Sequence, residues 1–470
     1  MLPRRLLGAT ALAACLTACQ GNDGPTAGRL PAAAQSLPIT SLLRLPRAGG
    51  SPRLYAGPAL GESPWRARGR LQPLQRPIGF DLDQGVAFAV DSNGGLLALD
   101  LTTGTSRTIL KGLRAVALGP EGTLYAVDAK GALTRIRHRL PEASEITLPA
   151  RLAALYGTVD RQLLAVETSD STRLSLLVAG QPPLSAATPK GEAAATYWGD
   201  LVAVATEEGV YLWDPRAAEP PRRIKVSGKP QTVRFSASGH RLFVGREDEG
   251  VAVVDRYTGN RLRDLDVPGS AASLRVAPYG GWLLARPSDG DTLWVVNLAT
   301  GSFAGRLQAR WGFDLPTVLG ERTLLVREGG DVVARDLGRE GFPETGRIRG
   351  GASDLYLPVP WAPAGTPPDI EPEAPLAEDQ ADVVAGDSFP GEEAPPEVEI
   401  NYYLQVSRSQ NPDWARALVD SLKLEGQPAL VLDPLPGEDA YRVVVGPFAS
   451  REGAEEAGRQ LGRPSFIYQR

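Results

Sequence analysis

Asp255-Arg256-Tyr257-Thr258-Gly259 is a turn that this chain writes more than once. It recurs as Asp100-Leu101-Thr102-Thr103-Gly104 and as Asn297-Leu298-Ala299-Thr300-Gly301, and Asp214 and Asp336 occupy the equivalent place. The Asp or Asn side chain of such a turn accepts backbone N–H groups, and the closing Gly takes a positive φ. Asp214 and Asp255 are 41 residues apart, Asp255 and Asn297 42, and Asn297 and Asp336 39; Asp100 precedes Asp255 by 155, close to four such steps. Apolar runs recur in the same rhythm, as in Leu124-Tyr125-Ala126-Val127-Asp128, Leu164-Ala165-Val166 and Leu242-Phe243-Val244-Gly245. Ile39 to Gly50 likewise parallels Ala272 to Gly281. Each unit reads as four short strands separated by Gly-containing turns. A period near forty with four strands per unit is the signature of a β-propeller.

The units resemble the YVTN and WD40-like propeller families, without a strict Trp-Asp motif. Eight units fit between Pro38 and Gly350, the first being the weakest because Trp65-Arg66-Ala67-Arg68 makes a poor third strand. Asp354 to Val359 reads as an extra strand that could close the ring on the first unit, so seven and eight blades both fit. The expected fold is mainly β: a seven- or eight-bladed propeller over 38–361, followed by a small α+β domain.

Little in the propeller points to catalysis. Asp91-Ser92-Asn93-Gly94 and Ser288-Asp289-Gly290-Asp291 lack a full calcium-ligand series and are expected to be hairpin turns. His138 and His240 are the only histidines, too few for a His-rich metal centre, and no Gly-x-Ser-x-Gly occurs. Trp198, Trp213, Trp282, Trp294 and Trp311 are expected in blade cores. The expectation is a protein that is not an enzyme and carries no metal or cofactor; a carboxylate site assembled at the central channel is the alternative.

The last seventy residues have a different grammar. Tyr402 to Val406 is a β-type run, and Asn411-Pro412-Asp413 reads as N-cap, first helical residue and acidic first turn. Trp414, Leu418, Ser421 and Leu422 follow at helical spacing, closed by Gly426. Ala429 to Asp433 and Tyr441 to Val445 read as strands joined by a turn at Pro434, Pro436 and Gly437. Ser450 caps a second helix with Ala454, Ala457 and Leu461 inward and Gly462 at its end; Ser465 to Tyr468 is the final strand. The order is β-α-β-β-α-β, with both helices on one face of an antiparallel sheet.

The Tyr402-Tyr403-Leu404-Gln405-Val406 run, with Tyr441-Arg442-Val443-Val444-Val445-Gly446-Pro447-Phe448 and Ala449-Ser450-Arg451-Glu452, resembles the SPOR domain. That resemblance implies binding of peptidoglycan, in particular glycan strands stripped of stem peptides at the division septum. Where the family has Gly-Ser-aromatic after the Gln, this chain has Ser407-Arg408-Ser409. Strand alternation places Leu404, Val406, Val443 and Val445 under the helices. It places Tyr403, Gln405, Ser407, Arg442 and Val444 on the uncovered face as the candidate glycan-binding residues. An aromatic ring, an amide and a guanidinium side by side suit a sugar polymer, which offers flat apolar faces and hydroxyl and acetamido acceptors. The surface would be lost if Gln405 and Arg442 packed beneath the helices.

At the other end, Met1 to Arg5 is a short basic head and Leu6 to Ala18 an apolar, small-residue stretch too short to span a bilayer. Leu16-Thr17-Ala18-Cys19 resembles the lipobox of bacterial lipoproteins, which implies a signal peptide over 1–18 and acylation of Cys19. Cys15 and Cys19 are the only cysteines, so the mature chain would hold no disulfide. Gln20 after the Cys implies outer-membrane sorting, and residues 19–37 read as a tether.

Residues 362–400 carry 11 acids, no Lys or Arg and eight Pro in 39 residues, a composition that cannot bury enough surface to fold. Such a linker reaches on the order of 120 Å at roughly 3.1 Å per residue. Set aside, it leaves 44 acidic against 50 basic residues and no basic block suggesting nucleic acid.

The expected partners are peptidoglycan, a membrane through the N-terminal lipid, and periplasmic proteins on the propeller. A hydrolase or lactonase-like propeller, or an outer-membrane assembly scaffold, are the alternatives. Cys19→Ser should abolish palmitate labelling in cells and release the protein from the membrane fraction, whereas Cys15→Ser should leave both unchanged.

Overall fold

The inner strands of the repeated units are apolar at nearly every position, as in Val86–Asp91 and Gly250–Asp255, and are buried throughout. A strand with one solvated face would alternate; these do not, because each sheet is covered on both faces by its neighbours. In the computed structural model, which describes residues 40–362 and 401–469 apart from scattered positions (the longest run being 436–439), eight four-stranded antiparallel sheets follow this pattern. They are the blades of a propeller. Blades two to eight begin with the innermost strands Leu74–Asp81, Leu113–Leu118, Ala154–Gly157, Gly191–Ala195, Pro230–Phe235, Ser273–Val276 and Thr317–Leu319. The core lies between blades: Phe243, Val251 and Val253 of blade six pack on Leu274, Leu283 and Ala285 of blade seven. Outermost strands such as Phe303–Gln308 alternate between half-buried and exposed.

The first blade resolves the count. Leu355–Val359 pairs antiparallel with Ser41–Leu45, Leu43 opposite Leu357, and lies beside Leu74–Asp81 as the innermost strand. The ring therefore has eight blades and is closed by its C-terminal strand. Ser41–Leu45 consequently stands second in its blade, whereas Ser273–Val276, its counterpart by sequence likeness, stands first. Trp65 to Arg68 is no strand: the fourth strand is the two-residue Gly61–Glu62. Trp65 instead crosses to blade two, its Nε1 donating to the Leu101 carbonyl at 2.7 Å.

The recurring turns do what their chemistry requires. Oδ1 of Asp100, Asp255 and Asn297 each accepts two successive backbone N–H groups, from Thr102 and Thr103, Tyr257 and Thr258, and Ala299 and Thr300. Asp91 to Gly94 is a hairpin turn in which Asp91 Oδ1 accepts from Asn93 and Gly95. Trp213, Trp282 and Trp294 lie in blade cores, and Trp311 is half-buried with the Arg275 guanidinium 4.9 Å from its ring. Trp198 belongs to no blade core.

The C-terminal module comprises β1 (Tyr402–Ser409), α1 (Pro412–Leu424), β2 (Ala429–Leu432), β3 (Tyr441–Phe448), α2 (Arg451–Gln460) and β4 (Phe466–Gln469). Its sheet runs β2-β3-β1-β4, antiparallel throughout. Leu404, Val406, Val443 and Val445 pack under Ala415, Val419, Leu422 and Leu461, a core of its own. The α1 seam is Ala415, Val419 and Leu422, one position round from the expected stripe, leaving Trp414 and Ser421 half-buried. Ser450 caps α2, its hydroxyl accepting from Gly453 N. The signal peptide, Cys19, the tether, Asn411, Gly462, His138 and all but the first residue of the linker lie outside the described residues.

Leu355 is fully buried in the closing strand, so Leu355→Ala should lower the unfolding free energy by roughly 2–5 kcal/mol in a denaturant titration. Leu262→Ala, on an exposed outer position, should change it by less than about 0.5 kcal/mol.

Candidate functional site

The sheet face opposite the helices is set by β1. Gln405 stands opposite Val444 of β3 and Phe466 of β4, and Tyr403 opposite Tyr468. A bulge then breaks the alternation: Ser407 pairs with Val443, a helix-side residue, and Arg408 pairs with Arg442. Of the five expected residues, Tyr403, Gln405, Arg442 and Val444 share the helix-free face. Ser407 is turned off it, and Arg408 takes its place. Nothing in the alternation of the sequence announces that extra residue; an unpaired position in a ladder is visible only once both strands are in place.

The face is not open. Gln405 is 1% exposed, Val444 0% and Arg442 6%, contrary to the expectation of a solvated surface. They do not lie beneath the helices either. Phe466 and Tyr468, their neighbours on this face, pack on Val159 of blade four and Trp198 of blade five. Trp198 meets the Phe466 ring edge-on at 5.5 Å, and the Arg216 guanidinium lies 5.8 Å from that ring. Arg408 Nη1 donates to the Val159 carbonyl at 3.1 Å, and the Arg442 guanidinium lies 5.3 Å from the Tyr468 ring. Thus Trp198, expected in a blade core, is a contact between the two domains.

The contact continues along the edge formed by β4 and α2. Ser465 N donates to the Ser238 carbonyl at 3.2 Å, and its Oγ bonds His240 Nε2 at 2.8 Å. Arg459 of α2 donates to Asp255 Oδ2 at 2.7 Å and lies over the Tyr257 ring. Gly458 faces the His240 ring so closely that a Cβ there would come within 2.2 Å of it. All these propeller residues lie in loops joining first to second or third to fourth strands of blades four to six. In an up-and-down blade such loops fall at one end, so the module sits on one face of the ring.

The charges are arranged to match. Burial opposes ionisation of Asp255, yet Arg459 and the amides of Thr258 and Tyr257 hold its carboxyl below the usual range. Asp200, fully buried, is likewise kept low by Arg256 and Arg216 despite its burial, and its Oδ2 accepts from Arg256 at 2.6 Å. Burial, with Arg256 and Arg459 nearby, holds the His240 imidazole at about 3 against an ordinary 6.5 despite Asp200 and Asp255, so the ring is neutral at pH 7. Its Nδ1 bonds the Tyr257 hydroxyl, which burial pushes up to about 12. Gln405 Nε2 and Trp198 Nε1 are among the buried donors with no hydrogen-bond partner among the described residues. Each such group costs about 1–3 kcal/mol.

Elsewhere in the ring, a cavity of about 330 Å³ opens among the inner strands of blades two to five, lined by Arg76, Ile78, Val116, Leu155, Tyr156 and Tyr197 among others and by no carboxylate. No cluster of three or more metal-ligating side chains occurs among the described residues.

The family model of the SPOR domain matches residues 399–468. The C-terminal module is a SPOR domain. No curated protein matches the chain. Among solved structures it is similar to dihydro-heme d1 dehydrogenase NirN in complex with DHE, at 14% identity and TM-score 0.49, over 71% of this chain and 76% of that one. It is similar also to AztD of Citrobacter koseri, at 11% and 0.48 over 68% and 98% of the two chains. The propeller domain of Myceliophteria thermophila Cps50 (Swd1) gives 15% and 0.39 over 58% and 95%. These likenesses are between propellers, and no function passes from them.

The SPOR–propeller contact should weaken in acid. Because the folded His240 value lies below the ordinary one, its contribution is complete above about pH 6.5 and is lost as pH falls toward 3, by roughly 1.4 kcal/mol per unit. Asp255, lowered in part by Arg459 across the contact, adds a loss of the same sign below about pH 4. Once exchange is corrected for the intrinsic rate, which itself falls with pH, the protection of the Ser465 amide should therefore drop between pH 7 and 5, and His240→Gln should flatten that dependence.

Proposed function

We propose that this chain is a lipid-anchored protein of the outer membrane that grips denuded glycan strands of peptidoglycan and carries its propeller, a protein-interaction scaffold, to sites of wall remodelling such as the septum. The observation that carries this reading is the SPOR match over 399–468, in which Tyr403, Gln405, Arg442 and Val444 lie together on the helix-free sheet face. Gln405 Nε2, with no hydrogen-bond partner among the described residues, is a donor suited to the hydroxyl or acetamido oxygen of a sugar, and Tyr403, Phe466 and Tyr468 offer ring faces beside it. Arg408, brought onto this face by the bulge, joins Arg442 as a second guanidinium.

The mechanism is attachment rather than catalysis. A lipid at Cys19 and a wall-binding domain at the other end raise each other's local concentration. The acidic, Pro-rich segment over 362–400 supplies the span between propeller and wall.

The SPOR domain has its own core and can be studied as residues 401–470. That fragment should sediment with amidase-treated sacculi. Gln405→Ala with Arg442→Ala should reduce binding about tenfold or more while moving the melting temperature of the fragment by only a few degrees. A fragment that fails to bind removes the glycan reading.

A further inference from the structure

The sheet face proposed to meet glycan is the face on which the propeller packs, through Phe466, Tyr468 and Arg408. Resting on the glycan reading of that face, we propose that the propeller is an intramolecular cap on the SPOR sheet, so that this chain binds wall glycan only when the SPOR domain leaves blades four to six. Trp198 and Val159 occupy the aromatic surface beside Gln405, and Arg408 is spent on the Val159 carbonyl. A sugar strand and the propeller therefore compete for the same atoms.

The contact has the character of one made to open. Its apolar part is small: Val159, Trp198, Phe466 and Tyr468. The rest is polar, with the Arg459–Asp255 ion pair at 2.7 Å and the His240–Ser465 hydrogen bond at 2.8 Å at the rim of the sheet. Gln405 Nε2 and Trp198 Nε1 are both donors, so neither can satisfy the other across the contact. A glycan offers acceptors to Gln405 that the propeller does not. Both binding modes keep the helix side of the SPOR domain intact, because its core is separate.

Two variants set the cap without touching the glycan-binding residues. Gly458→Leu places a side chain where the nearest atoms all belong to the His240 ring, and Leu is a better helix former than Gly, so it wedges the domains apart while favouring α2. Ser238→Cys with Ser465→Cys, at positions joined by a 3.2 Å backbone hydrogen bond, locks them together in a background of Cys15→Ser and Cys19→Ser. The probe is amidase-treated sacculi, with full-length chains and the 401–470 fragment measured in parallel. The wedged chain should enlarge in small-angle scattering and bind about tenfold or more tightly than the parent chain, since apparent affinity scales with the open fraction. The oxidised, thiol-free lock should stay in the supernatant and return to the pellet on reduction.

A locked chain that sediments as well as the reduced one overturns the cap, as does a wedged chain that binds no better than the parent, whether or not it enlarges. In both cases a binding fragment leaves the glycan reading standing. A fragment that does not bind overturns the glycan reading, and the cap with it.

Discussion

Each oxygen of the Asp255 carboxylate has its own task. Oδ1 holds the turn between the third and fourth strands of blade six by accepting from Tyr257 and Thr258, and Oδ2 accepts from Arg459 of the SPOR domain. The same side chain thus shapes a local turn and fixes a neighbouring domain. The turn orients it before the domain arrives, so little freedom remains to be lost when Arg459 docks. Arg459 in turn is held by Glu455 and Glu456 of its own helix, at 3.6 and 3.1 Å, so it too is positioned for that carboxylate. That carboxylate registers the two domains against each other, because both engage it directly.

How the ring closes fixes the end at which the chain leaves it. Leu355–Val359 is an innermost strand, so the chain leaves it at the end where first and second strands are joined. Trp361 is still held there, beside Gly85 in the corresponding loop of blade two. Trp198, His240 and Val159 lie in loops at that same end. A ring closed one strand earlier would send the chain out on the opposite side.

Compared with the ring, the domain contact is polar and incompletely satisfied. Between blades the packing is aliphatic and continuous, with Leu, Val and Ala fully buried over both faces of the sheets. Between the domains a few rings meet, surrounded by ion pairs and hydrogen bonds, which is the composition of interfaces that form and separate.

The sequence by itself determined the period of the propeller, its turn chemistry and the β-α-β-β-α-β order, because these rest on local rules: side-chain alternation, Asx turns, helix caps. Asp100, Asp255 and Asn297 were legible as turn residues, and Ser450 as a cap, from neighbours within four positions. Tertiary structure alone decided three things. The count of eight follows from Leu355–Val359 pairing with a strand more than three hundred residues earlier, a register that no local pattern specifies. The exchange of Ser407 for Arg408 on the sheet face follows from one bulge, visible only against the partner strand. Gln405, Arg442 and Val444 are buried on a face where a second domain packs on their neighbours Phe466 and Tyr468, and a strand read alone says which way a side chain points but not what meets it there.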